Sequence, residues 1–397
     1  MSKTSRIEVI QYKNEYITQK ISAKVILPDL LINEVYIDIL CIVLNDKINS
    51  DREMCLYLEN LYNSQITVSA KRLGYNYVLS IDLLFLNYEY IIEGKEFLKK
   101  IEDLWLMIIS NIHQFINPID IDFVKSIILD MYNQKISPEN TYEFLDHYIR
   151  ILWNGKDYSN TIQQIVNEIS IEHVEKFCFM IINSAKWLFV LCVNEYSLNL
   201  DRWLRTLNNK NIVRRNDLKE IEKKDKIVFK NKENVNSFGM IYHLKGINSV
   251  YSNYIAWIIS LILGGAPFSE LKIKIREKMQ FCYYLNVDYD FLTQCILMEC
   301  DVTRDFAECV RIAAAKEISI LKENLVQMDY LQRIKVYAIN TINSFGDSVS
   351  DIERWYLSQI DYIEKKSIEE VKKIINDISV EDIFNLAQQI DYIATIY

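Results

Sequence analysis

The chain has 397 residues, of which half are apolar and a quarter are charged, with only 8 glycines and 4 prolines. This length predicts two domains of about 200 residues each, and the composition excludes a disordered chain. The formal net charge of -9, with Lys and Arg scattered among Asp and Glu, leaves no basic face for nucleic acid.

The first part of the chain predicts a strand, two helices and a hairpin. Tyr16–Leu27 alternates as a strand does, and Leu30–Leu44 has the apolar spacing of a helix. Ser50 and Glu53 have the spacing of a capping box, which predicts a second helix to about residue 63. Two alternating runs around a turn at Gly74 then predict an antiparallel pair, and they cover 65–71 and 75–84.

Helical patterns follow at 95–115, 121–135, 140–154 and 159–168. Ser170 is placed to cap another helix, and Trp187–Val193 has the composition of a buried strand. This order of elements predicts an α+β domain over 1–206.

Residues 207–236 are charged and poor in apolar side chains, so they predict a linker, or a solvated helix-and-loop excursion of one domain. The second domain, 237–397, repeats the plan, with a strand at 238–244, a helix over 254–263, a break at Gly264 and Gly265, and a helix to about Lys278. The hexapeptide ISIEHV at 169–174 returns as ISVEDI at 378–383, near the end of each half. The shared position favours a duplication over a chance match, and predicts two related domains, each a mostly antiparallel sheet packed by several helices.

No secretion signal or membrane span is apparent, since the N-terminus lacks an apolar core and the longest apolar run, around 254–263, is short. The eight cysteines never form a C-x-x-C pair, so buried thiols are favoured over a metal or redox motif. We therefore expect a cytoplasmic protein.

Motifs for independent catalysis are absent from the sequence. The four histidines are His113, His147, His173 and His243, and none has another histidine three or four residues away, as a helical zinc site requires. No Ser or Cys lies in a G-x-S-x-G turn, and no phosphate-binding glycine loop is present. We expect no metal and no cofactor in this chain.

The stretch LGGAPFSELKIKIREKMQFCYYLNV, at 263–287, resembles the C-terminal-domain signature of insulinase-type, pitrilysin-like zinc peptidases. In that family an Arg and a Tyr lie seven residues apart in this segment, as Arg276 and Tyr283 do here. The resemblance implies that this pair donates hydrogen bonds to the peptide carbonyl oxygen as it becomes an oxyanion. The alternative is a solvated cation at a helix end and an ordinary strand aromatic.

The first half resembles the family's N-terminal domain, in which an H-x-x-E-H zinc motif follows the first strand and helix. The matching positions here are Leu56, Glu59 and Asn60. Leucine cannot bind a metal and asparagine is a weak zinc ligand, so Glu59 has no metal-bound water to deprotonate. The family's third zinc ligand corresponds loosely to Asp130, and we do not assign Asp130 a metal-binding role.

In the family, two such two-domain halves close like a clamshell around a peptide. The resemblance therefore implies a zinc-free subunit of a heterodimer, whose partner supplies the zinc and whose substrate is a peptide. Leader peptides of ribosomally made products are one substrate class found with small bacterial heterodimers of this type. Two alternatives remain open: a structural or binding subunit, like the non-proteolytic core proteins of respiratory complexes, and an independent hydrolase using Cys282.

Overall fold

The computed structural model describes residues 7–13, 16–74, 76–110, 112, 120–135, 158–194, 237–346, 348–360 and 365–396. The predicted helix at 140–154, the predicted linker, His113 and His147 lie outside these described residues. The chain divides into two compact units, one formed mainly by the first half and one mainly by the second.

The first half contains five strands and six helices with described bounds. In chain order these are β1 (Ile7–Lys13), β2 (Thr18–Pro28), α1 (Leu31–Ser50), α2 (Arg52–Asn60), β3 (Gln65–Leu73), β4 (Asn76–Leu86), α3 (Lys95–Ser110), α4 (Ile121–Lys135), α5 (Tyr158–Glu168), α6 (Ile171–Ser184) and β5 (Lys186–Val193). A short 3₁₀ turn covers Tyr88–Tyr90.

The second half contains four strands and seven helices with described bounds, two of which continue into π-helical turns. In chain order these are β6 (Ser237–Leu244), α7 (Val250–Ser260) with its π turn (Leu261–Gly265), α8 (Glu270–Lys272) with its π turn (Ile273–Lys278), β7 (Cys282–Asp290), β8 (Cys295–Val302), α9 (Arg304–Glu323), α10 (Met328–Asn343), a 3₁₀ turn (Ser344–Gly346), α11 (Val349–Leu357), α12 (Ile368–Asp377), α13 (Val380–Ala387) and β9 (Ile390–Ile396).

The sheet of the first unit has five strands in the order β1-β5-β2-β4-β3, all antiparallel except for the parallel pair β1 and β5. The predicted hairpin is present as β3 and β4, with Gly74 at a φ of +59° in the turn, where glycine is favoured. The predicted strand at 187–193 is present as β5, which is buried along nearly its whole length between two neighbours. Helix α1 buries Val35, Leu40 and Leu44 in the core of this unit.

Helix α11 belongs to the first unit, although its sequence lies in the predicted second domain. It packs on β2 and β5. There Glu353 forms ion pairs with Lys20 and Lys24, and both lysines also pair with Asp82, at 3.1 and 2.7 Å. A segment remote in sequence is thus held on this sheet by a charge cluster of three buried residues, Lys20, Lys24 and Glu353, and the half-buried Asp82.

The second unit has a four-stranded antiparallel sheet in the order β7-β8-β6-β9. This order matches β3-β4-β2-β5 of the first sheet, since β6, β7, β8 and β9 take the places of β2, β3, β4 and β5 in the same sequence order. The repeated hexapeptide begins α6 and α13, and its serine is the N-cap residue of both helices. The predicted α+β class is confirmed, with the same strand order in the sheets of both units.

The stretch Val250–Lys278 is the one helical stretch among the described residues that is long and apolar enough, by length and composition, to cross a membrane. Its most apolar window is 67% buried, and Ala256, Ile258 and Ile259 are part of the core of the second unit. This burial is what a core helix of a globular domain shows.

Candidate functional site

Helix α2 presents the three positions that align with the zinc motif. Its N-cap residue is Asp51, whose Oδ1 accepts hydrogen bonds from the backbone N–H groups of Glu53 at 2.9 Å and Met54 at 3.2 Å. The predicted cap at Ser50 is therefore wrong by one residue, because the Ser50 hydroxyl instead donates to the Asp46 carbonyl at 2.6 Å. The helix ends at Asn60 rather than near residue 63.

The side chains of α2 do not form a metal site. Leu56 is 48% exposed, Glu59 and Asn60 are also exposed, and no residue of this helix is buried. Asp130 on α4 is exposed as well. Among the described residues no three His, Cys, Asp or Glu side chains are grouped closely enough to hold an ion. The zinc of insulinase-type peptidases therefore does not fit this helix, and no chemical step of this chain runs through it.

Arg276 lies in the π-helical turn that follows α8. The turn widens the helix by one residue, so that the N–H of Met279 donates to the Lys274 carbonyl at 3.0 Å. The N–H of Phe281 then donates to the Ile275 carbonyl at 3.1 Å, and Gln280 adopts a φ of +55°. Arg276 is exposed, and within the described part of the chain it takes part in no ion pair.

Tyr283 lies in a β-bulge that follows this turn. Strand β7 pairs Cys282 with Val302 and Leu285 with Cys300, so Tyr283 and Tyr284 share the place opposite Asp301. A bulge of this kind re-aims side chains at the edge of a sheet, and β7 is an edge strand. Tyr283 is 91% exposed as a result.

Two acidic residues of β8 hold the bulge in place. The backbone N–H of Tyr284 donates to Asp301 Oδ1 at 2.5 Å, and the Tyr284 hydroxyl donates to the buried Glu299 carboxylate. Burial raises the pKa of Glu299, and burial together with the Glu299 hydrogen bond raises the pKa of Tyr284. Tyr284 is thus tied to β8, while its neighbour Tyr283 reaches solvent.

The structure brings Arg276 and Tyr283 to one helix–strand junction of the second unit, and both side chains are exposed there. A guanidinium and a phenol hydroxyl are both hydrogen-bond donors, so this junction can bind an anionic or carbonyl oxygen. Sequence reasoning did not find the supporting residues Tyr284, Glu299 and Asp301, because strand alternation gives no signal for a bulge.

Two of the four histidines are described, and neither contributes to this junction. His173 is in the first turn of α6, where its Nδ1 accepts a hydrogen bond from the Ser170 N–H at 3.3 Å. His243 is half-buried on β6, and burial lowers its pKa.

No protein-family profile and no curated protein sequence matches this chain. Among solved structures, it is similar to a conserved protein from Enterococcus faecalis, with a TM-score of 0.77 and 13% identity over 98% of this chain and 95% of that one. It is also similar to the inactive domain of an M16 peptidase from Pseudomonas fluorescens, with a TM-score of 0.69 and 10% identity over 98% of this chain and 94% of that one.

A third similarity is to pitrilysin, with a TM-score of 0.67 and 13% identity over 99% of this chain and 42% of that one. At such low identity these likenesses show the fold alone. The chain has the α+β fold of M16, pitrilysin-like peptidases, and the inactive M16 domain has this fold too.

Proposed function

We propose that this chain is a zinc-free subunit of a two-chain, insulinase-type peptidase in which a partner subunit binds the metal. The observation that carries the proposal is the contrast between two surfaces of one chain. The helix that aligns with the zinc motif has Leu56 and Asn60 in place of its two histidines, whereas Arg276 and Tyr283 are both exposed at the junction of α8 and β7.

The proposed role of this chain is to stabilise charge on the peptide carbonyl oxygen. Arg276 supplies a permanent positive charge with forked donors, and Tyr283 supplies a hydroxyl. Zinc in the partner would polarise the scissile carbonyl and lower the pKa of a water molecule. Donors fixed in advance stabilise the developing oxyanion without reorganising during the reaction.

The bulge gives Tyr283 a defined position in this role. Because Tyr284 is bound to Asp301 and Glu299, the backbone on the C-terminal side of Tyr283 is anchored to β8. The proposed substrates are short or unfolded peptides, including leader peptides of ribosomally made products, and the proposed compartment is the cytoplasm. These assignments rest on the resemblance to insulinase-type peptidases.

The test is reconstitution with a zinc-bearing subunit encoded beside this chain and recognised by an intact H-x-x-E-H motif. Peptide hydrolysis should occur only in the mixture and should stop when a chelator is added. Arg276→Ala should lower kcat/KM about 10²- to 10³-fold, the usual loss when one oxyanion donor is removed. Glu59→Gln should leave the rate unchanged, because Glu59 has no metal beside it.

Arg311→Ala is the matched control, since Arg311 is another arginine of the second unit, is half-buried and pairs with Glu308 at 2.5 Å. It should leave the rate unchanged. A fully active Arg276→Ala pair would contradict the proposal and favour a structural subunit. Hydrolysis by the isolated, metal-free chain that a thiol reagent abolishes would instead favour the cysteine hydrolase.

A further inference from the structure

Two cysteine side chains lie together under the bulge of β7. Cys282 is the first residue of β7 and pairs with Val302, while Cys300 lies two residues before Val302 on β8. The two side chains therefore point to the same face of the sheet. Their thiols are close enough for each to change the acidity of the other, and both are free cysteines.

The two thiols differ in acidity. The neighbouring Cys300 thiol lowers the pKa of Cys282, aided by the charge of Arg276 and opposed by burial and by Asp301. Cys282 in turn raises the pKa of Cys300, and burial and the nearby acidic residues raise it further. The lower pKa makes Cys282 the more readily ionised thiol of the pair.

Other buried cysteines of the chain behave differently. Burial raises the pKa of Cys178 and of Cys192 to about 12 in both cases. Cys178 and Cys192 lie in the first unit, in α6 and β5, and serve as internal references. Since the thiolate and not the thiol reacts with oxidants, reactivity should concentrate at Cys282.

Cys282 also has a route to solvent that Cys300 lacks. Cys282 is 6% exposed and Cys300 is 1% exposed. Cys282 begins an edge strand and is followed directly by the exposed Tyr283, so local opening of one strand end uncovers it.

We propose that Cys282 and Cys300 form an oxidisable dithiol, which hydrogen peroxide converts into an intramolecular disulfide that fixes the bulge carrying Tyr283. The Cys282 thiolate attacks one peroxide oxygen and the O–O bond breaks. The departing hydroxide takes a proton from solvent, so that a sulfenic acid and one water form. Cys300 then gives its proton to the sulfenic oxygen as its sulfur bonds to the Cys282 sulfur, the S–O bond breaks, and a second water leaves. One peroxide is reduced to two waters, and two thiols are oxidised to one disulfide. This chemistry does not depend on the proposed peptidase role.

The test uses the full chain, purified under reducing conditions and then treated with hydrogen peroxide. Free thiols are blocked with a maleimide, and peptides are mapped by mass spectrometry without reduction. We expect a peptide that joins Cys282 to Cys300, formed at least about tenfold faster than any oxidation of Cys178 or Cys192. A mild thiol reductant should restore both thiols.

Variants separate the two steps of the reaction. Cys300→Ser should let a sulfenic acid accumulate at Cys282, where dimedone traps it, whereas Cys282→Ser should leave Cys300 reduced. Cys309→Ser is the control, because Cys309 is the exposed cysteine of the chain and its loss should leave the internal disulfide unchanged.

Three results would overturn the proposal. The first is that the maleimide still labels both Cys282 and Cys300 after peroxide treatment, and the second is that Cys282 is oxidised no faster than Cys178. The third is a disulfide between Cys282 and Cys309 of a second copy. The wild-type mapping decides the matter even if a variant fails to fold. A supporting readout is hydrogen exchange, which should slow at Tyr283 and Tyr284 in the oxidised chain.

Discussion

Each unit places a helix directly before the edge strand of its sheet, and the two junctions are built differently. In the first unit, α2 is a regular nine-residue helix, and β3 pairs with β4 over its whole length without a shift in register. In the second unit, the helix widens into a π turn, and β7 has a bulge two residues into the strand.

The difference shows where the second unit departs from ideal geometry. A π turn and a bulge each add one residue to a regular element, and both are frequent at functional sites. Their combined effect here is to expose Arg276 and Tyr283. The regular junction in the first unit exposes Leu56, Glu59 and Asn60, which offer no comparable pair of donors.

The central strands of the two sheets differ as well. β2 carries Lys20 and Lys24, which are buried against Glu353 and Asp82, whereas the sequence of β6, SFGMIYHL, contains no lysine or carboxylate. The first sheet therefore depends on charge pairing where the second depends on apolar packing.

The largest expected effect comes from breaking the buried charge cluster. Glu353 is 4% exposed, and Glu353→Ala leaves two buried lysines with a single carboxylate, Asp82. Removing one partner of a buried pair costs about 3–5 kcal/mol. We expect faster amide exchange throughout β2 and β4, and unchanged exchange in β6, measured by mass spectrometry.

Arg354→Ala is the control for that experiment, because Arg354 lies on the same helix but is exposed, and it pairs with Asp351 at 3.3 Å. Exposed pairs contribute about 0–1 kcal/mol, so exchange in β2 should change little. Equal exchange of β2 in the Glu353→Ala and Arg354→Ala chains would show that the cluster does not hold α11 on the sheet.

A smaller effect is expected at the glycine pair that packs against β7. A Cβ on Gly265 would lie 2.7 Å from the Val287 carbonyl oxygen, and a Cβ on Gly264 would lie 2.3 Å from Val287 Cγ2. Overpacking of this kind costs about 1–3 kcal/mol. We expect both Gly→Ala changes to lower the free energy of unfolding, measured with urea.

The two glycines should respond differently to a second change. Val287→Ala removes the methyl group that a Cβ on Gly264 would strike, so Gly264→Ala with Val287→Ala should cost less than the sum of the single changes. The neighbour of Gly265 is a backbone oxygen, which no side-chain change can remove, so its double variant should be additive. Additive costs at Gly264 would contradict the proposed contact.

Local patterns in the sequence predicted much of the fold. Alternation predicted β2, β3 and β4, and Gly74 predicted the hairpin turn, because a left-handed turn favours glycine. The repeated hexapeptide located α6 and α13, since its serine is the N-cap residue of both helices. In α13 the Ser379 hydroxyl accepts a hydrogen bond from the free N–H group of Asp382. These features depend on neighbours within a few residues.

The remaining features depend on contacts between distant residues. Lys20 and Glu353 are 333 positions apart, so no local pattern could place α11 on the first sheet. The bulge depends on Asp301, which is 17 positions from Tyr284. At the candidate site, Arg276 and Tyr283 were predicted from a family resemblance. The π turn and the proximity of Cys282 to Cys300 were not predicted.

The smallest expected effect tests the regular junction, where Asp51 and not Ser50 caps α2. Asp51→Ala should speed amide exchange in α2 by roughly fivefold, because its first N–H groups lose their acceptor, and Ser50→Ala should have no such effect. A hydrogen bond from Lys47, together with that from the Met54 N–H, lowers the pKa of Asp51 below its ordinary 3.8. The cap therefore stabilises α2 above pH 3.8 and is lost as the pH falls through the lowered pKa. If amide exchange in α2 became faster in the Ser50→Ala chain and not in the Asp51→Ala chain, Ser50 would be the cap, as the sequence predicted.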